Sequence, residues 1–100
     1  MISRGCTCKN IFSFPYLAEE VELLYITYQQ RFKTVVEKTL AECTIEDNKL
    51  VVMLSQEDTL QFDSAVPIAI QIRVKLVNGA VTKSKVIETY TDLLLKNEVI

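Results

Sequence analysis

The side chains equipped for chemistry in this chain are few. They are three thiols, Cys6, Cys8 and Cys43, and a run of acids, Glu57, Asp58 and Asp63, inside the segment Ser55 to Asp63. There is no histidine. A cysteine nucleophile would therefore lack its usual imidazole base, and serine triads and histidine-ligated metals fall away. Cys6 and Cys8 are two apart and would share one face of a strand. A thiolate metal site wants four ligands, and no spacing of carboxylates completes one. An odd cysteine count excludes a full disulfide framework, so all three read as reduced thiols, with Cys43 as a small core residue. Asp58 with Glu57 or Asp63 could make a carboxylate pair for acid–base work. The stronger reading has these acids accepting from backbone amides in a tight connection. The expectation is a protein that is not an enzyme and needs no cofactor.

The elements that would position these residues are strands. From Ile68 to Leu76 apolar and polar residues alternate without a break. Side chains on a strand point to opposite faces with period two, so Ile68, Ile70, Ile72, Val74 and Leu76 should line a buried face. Gln71, Arg73 and Lys75 should stand in water or against a partner. Such a half-buried strand belongs to an antiparallel sheet. Lys9 to Phe14 reads as a first strand ended by Pro15, and Leu50 to Leu54 as a short buried one. Ser55-Gln56-Glu57-Asp58 resembles a capping box that would start one helical turn over Gln56 to Leu60. Asn78-Gly79 asks for a two-residue hairpin turn with positive φ at both positions. Val81 to Thr91 would be the returning strand.

The middle of the chain is ambiguous by pattern. Leu17, Val21, Leu24, Tyr25, Tyr28, Phe32, Val35, Val36 and Leu40 fall near helical spacing, which would give one long amphipathic helix from Tyr16 to Cys43. The β-branched and aromatic content of Leu23 to Tyr28 and of Phe32 to Val36 argues instead for a hairpin with its turn in Gln29 to Phe32.

With 100 residues the chain reads as one domain over residues 1–100. Its 49% apolar content and mean hydropathy of +0.19 are high for so small a body. Some apolar residues should remain exposed or meet another subunit, which points to a homo-oligomer. A net charge of −2 with scattered cations offers no basic footprint for nucleic acid. No stretch reaches the length of a membrane span, and Met-Ile-Ser-Arg-Gly-Cys lacks the apolar core of a secretory signal. Expected are no nucleic acid, no membrane, and a protein made and kept in the cytoplasm, or released from it by lysis or within a particle.

Four strings occur in a familiar order: Tyr-Ile-Thr-Tyr-Gln-Gln (25–30), Val-Val-Glu-Lys-Thr (35–39), Leu-Ser-Gln-Glu-Asp-Thr-Leu-Gln-Phe (54–62) and Ile-Gln-Ile-Arg-Val (70–74). With the opening Met-Ile-Ser-Arg-Gly, they resemble a family of small phage and prophage proteins of Firmicutes. These are similar in pattern to the β-sandwich N-terminal domain of baseplate upper proteins of lactococcal-type phages. The resemblance implies an antiparallel, immunoglobulin-like β-sandwich of about six or seven short strands with one helical turn. It implies the hairpin reading of the middle segment. This chain has Gln30-Arg31 where the family has an Asn-Gly-like turn, so a longer or bulged loop is expected there. It also has Cys6-Thr7-Cys8-Lys9 where a proline and threonines are usual.

The function implied is structural: a tail or baseplate component of a phage or prophage particle, located in the virion and packing against other phage structural proteins. The alternative is a soluble accessory module that captures a host protein or a glycan through its loops. Gln71 and Arg73, on the polar face of the best strand, are the candidate interface residues, together with Leu93, Leu94 and Leu95 near the C-terminus. Tyr28 reads as core rather than interface.

Overall fold

The structure is a computed structural model that describes Ile2 and residues 5–63, 65–84 and 86–89. Among these residues are eight strands: β1 (Cys8–Ser13), β2 (Val21–Gln30), β3 (Lys33–Thr39), β4 (Cys43–Glu46), β5 (Lys49–Leu54), β6 (Ile68–Leu76), β7 (Val81–Lys83) and β8 (Ile87–Thr89). One short helix, α1, spans Gln56–Leu60. The pairings among these eight strands are antiparallel and form two sheets. The first is ordered β1-β5-β4; the second runs β3-β2-β6, with β7 and β8 both pairing along the far side of β6.

Period-two alternation builds both inner faces. On β6, Ile68, Ile70, Ile72 and Val74 are buried; on β2, Leu24, Ile26 and Tyr28; on β5, Leu50, Val52 and Leu54. With Phe14, Val36, Phe62 and Ile2 they form one continuous core. Each such side chain contributes roughly 1.5–3 kcal/mol through removal from water, so this shared apolar layer does most to hold the sheets together. Leu76, expected in the buried row, is only half-buried at the strand's end.

Two buried polar residues tie the connections to this core. Gln30 Nε2 donates to the carbonyls of Asp63 (2.8 Å) and Val66 (2.9 Å), and its Oε1 accepts from the Asp63 amide at 2.8 Å. The Thr59 hydroxyl donates to the Cys6 carbonyl at 2.9 Å and accepts from the Gly5 amide at 3.0 Å. Both groups thereby avoid the penalty of an unpaired buried dipole. The helical turn begins as expected: Ser55 Oγ accepts from the Asp58 amide, and Asp58 Oδ2 accepts from the Ser55 amide at 2.9 Å.

Several expectations need correction. Strands number eight rather than six or seven, because the return after β6 is interrupted. Its register slips by one residue between Lys83 and Ile87, so β7 and β8 replace one strand from Val81. Ser84 marks the break: its amide donates to Ile72 O, and its Oγ accepts from the Ile72 amide. The Asn78-Gly79 turn is a three-residue loop, closed by Leu76 N–H to Ala80 O and Gly79 N–H to Leu76 O. Only Gly79 there has positive φ, at +92°, and Asn78 instead uses Oδ1 to accept from the Ala80 amide. Of the two readings left open for 16–43, the structure has the hairpin, formed by β2 and β3. Its turn holds two residues, Arg31 and Phe32, and a bulge at Val35 absorbs the extra residue. Cys6 lies outside β1 and shares no strand face with Cys8.

Candidate protein interface

The outer face of the second sheet carries the residues singled out from sequence. Register places Arg73 between Tyr25 on β2 and Lys83 on β7, and Lys75 between Leu23 and Val81. Gln71 stands opposite Thr27. Leu23, Tyr25 and Val81 are exposed, so this face combines apolar and cationic groups on a rigid platform. Arg73 is exposed, and among the described residues its guanidinium enters no ion pair. Lys75 Nζ lies 3.9 Å from Glu22 Oε2, a loose solvent-exposed pair. Gln71 is half-buried and its Nε2 donates to the Ser84 carbonyl at 3.3 Å, so it braces the break between β7 and β8. Arg73 therefore remains the free recognition group of the two. Leu93, Leu94 and Leu95 lie outside the described residues.

A second feature was not legible as functional in the sequence. At the tip of the β2–β3 hairpin Arg31 and Phe32 both have positive φ, 52° and 63°. Left-handed backbone costs an L-residue roughly 1–2 kcal/mol, which is why Gly and Asn dominate such turns. Phe32 is 98% exposed and so contributes nothing to the core. Arg31 reaches Asp63 at 3.1 Å across the surface. The available signal was an aromatic residue inside a turn that had no Gly, Asn or Asp. At the other two-residue turn Asp47 and Asn48 take the same conformation with φ of 49° and 59°, and there the residue types suit it.

The chemistry-bearing residues disperse. Cys6 is exposed; Cys8 and Cys43 are half-buried on the two strands flanking β5, opposite Leu54 and Val52 respectively. Two strand spacings and a two-residue offset along β5 separate them by roughly 12 Å, beyond the reach of a disulfide. Burial pushes the Cys43 thiol up, and its Sγ–H donates to the Thr39 carbonyl at 3.2 Å. Asp58 and Asp63 are engaged as the connection requires, Asp58 with the Ser55 amide and Asp63 Oδ1 with the Ala65 amide at 2.9 Å. Among the described residues no three His, Cys, Asp or Glu side chains group as a metal site. A cavity of about 190 Å³ opens where Phe14 and Tyr16 approach Ile72, Val74 and Thr82. It is below the roughly 300–1,000 Å³ of typical small-molecule sites, whereas an open depression of about 440 Å³ lies on the candidate face against Gln71, Arg73, Val81, Thr82 and Lys83.

Compared with family models, curated proteins and solved structures, the chain matches none.

Proposed function

We propose that this chain is a structural module that works by packing against other proteins, as a tail or baseplate component of a phage or prophage particle. The observation that carries the reading is Phe32, an aromatic side chain wholly in water on a backbone that disfavours it. The sheet requires the left-handed turn, but Gly or Asn would adopt it at lower cost, and a Phe whose ring buries nothing is expected there where a partner uses the side chain. Aromatic and arginine side chains supply most anchor energy at interfaces, and Phe32 and Arg73 are of these types. The phage assignment itself rests on the sequence resemblance. In this reading the protein performs no catalysis and its partners are copies of itself and neighbouring particle proteins.

The finer fold proposed with it is the immunoglobulin-like sandwich. The neighbour order β1-β5-β4 corresponds to strands B-E-D, and β3-β2-β6-β7 to C′-C-F-G, of that architecture. The tryptophan that packs on an intersheet disulfide in antibody domains has no counterpart here, since the chain has no tryptophan.

Light scattering across a concentration series tests the reading. The expected result is a defined oligomer that Phe32→Gly or Arg73→Glu dissociates while circular dichroism and Tm show an intact fold. Assembly unchanged in both variants overturns it.

A further inference from the structure

Strand β1 lies at the edge of the first sheet, with β5 as its single strand neighbour among the described residues. Phe14 N–H donates to Asn48 O at 2.9 Å, and Phe14 continues the β1–β5 register by one position. Antiparallel ladders alternate bonded and non-bonded pairs. Cys8, Asn10 and Phe12 therefore exchange bonds with β5, and the N–H and C=O groups of Lys9, Ile11 and Ser13 point away from the sheet. Among the described residues nothing bonds to those outward groups. Ile11 on this edge is 55% exposed.

Exposed edges are normally blunted by charge, bulges or brevity. The other three edges follow that rule. β3 carries Lys33, Glu37 and Lys38 and the bulge at Val35. β7 and β8 have three residues each and are offset by a slip. β4 has four residues and ends in Glu46. β1 runs six residues unbroken, with Lys9 as its single charge.

We propose that β1 pairs antiparallel with β1 of a second copy about a two-fold axis at Ile11. In that register Ile11 faces Ile11, and each Lys9 faces Ser13 of the other strand. The two ammonium groups are thereby kept apart, and every outward N–H and C=O of the three residues finds a partner. A slip of two residues in either direction would set Lys9 against Ile11 or leave a pair unmatched. On the solvent face the apolar row Val51–Ile11 continues across the axis into its own copy. The contact lies on the first sheet, away from Arg73 and Phe32, and is independent of the function proposed above. If the outer-face contact between copies is two-fold as well, the two together would generate a dihedral or filamentous assembly.

The test is sedimentation or light scattering of the full chain with Ile11→Lys, which places two lysines face to face at the axis, and with Met53→Lys as control. Met53 is exposed on the same outer face but belongs to the interior strand β5. The expected result, read in an Arg73→Glu background so that the outer-face contact does not contribute, is a dimer whose Kd rises at least tenfold in Ile11→Lys and hardly changes in Met53→Lys. Amide hydrogen exchange of wild-type protein supplies a readout that needs no variant: protection at Lys9, Ile11 and Ser13 should rise with concentration. A wild-type monomer at every concentration, or an oligomer indifferent to Ile11→Lys with no concentration-dependent protection of these amides, overturns the proposal. An oligomer broken by Arg73→Glu alone does so too, while supporting the outer-face reading.

Discussion

Lys38 on β3 extends its ammonium to Asp58 in the first turn of α1, Nζ to Oδ2 2.8 Å, and so clips the edge of the second sheet to the connection that follows the first. The same Nζ lies 3.2 Å from Glu42 Oε2. Both partners of the closer pair are largely shielded, with side-chain exposures of 13% and 18%. Burial by itself would raise the Asp58 pKa, but the Lys38 ammonium and the Ser55 amide outweigh it and hold the carboxyl below its ordinary value.

Acid should loosen this clip. A carboxylate whose pKa is depressed in the folded state contributes stability above its unfolded value near 4, and loses it as pH falls through the folded one. Urea midpoints measured from pH 6 downward are expected to fall below about pH 4. Asp58→Ala should remove about 1–3 kcal/mol at neutral pH, because it breaks the cap and the ion pair together. A pH profile of the variant as steep as that of the wild type would show that Asp58 is not the group responsible.

Alkali should act through Tyr28. Burial raises its phenol to about 12 against the opposing hydrogen bond from Asn10 Nδ2, 2.7 Å from the hydroxyl. An acid whose folded pKa is raised favours the fold below its unfolded value, near 10, and that contribution is lost as pH rises toward 12. Lys38, whose pKa its carboxylate neighbours raise despite burial, loses its contribution in the same direction. Absorbance titration should show a late-ionising tyrosine phase that Tyr28→Phe abolishes. The substitution leaves Asn10 without its acceptor and should cost about 1–2 kcal/mol.

The hairpin tip should be improvable as structure. Phe32→Gly relieves roughly 1–2 kcal/mol of left-handed strain, against roughly 0.4–1 kcal/mol of added unfolded-state entropy. Since Phe32 buries nothing, a net gain of about 0.5–1 kcal/mol and a Tm higher by a few degrees is expected in scanning calorimetry. A lower Tm would mean that the phenyl ring supports the fold.

Thiol reactivity should rank by exposure and thiolate character. Cys6, in water, should react with an aromatic disulfide reagent under native conditions well before Cys43, whose thiol is shielded and raised in pKa. Mild oxidation should leave no Cys8–Cys43 bridge on peptide mapping, because β5 lies between them.

Elements whose residues report their own environment were legible in the chain before any fold was known. The alternation from Ile68 to Leu76 permits one face to be buried and not the other. Ser55 and Asp58 carry side chains that satisfy the amides of a helix start. Tyr28 as core, and Asp58 and Asp63 as backbone acceptors, followed from the same local logic. Whatever depends on distant partners was settled only by packing. Helical and strand spacings coincide over Leu17 to Leu40, and pairing of β2 with β6, more than forty residues away, makes the segment a hairpin. Arg31-Phe32 takes a left-handed turn because the strands on both sides are held in register, so the sheet imposes a conformation the residues disfavour. Gln71 and Arg73 look alike on an alternating string. Only the break at Ser84, set by how the return strand meets β6, engages one and leaves the other free. Which edge stays open likewise has no local signature, since it is a property of the order in which strands meet.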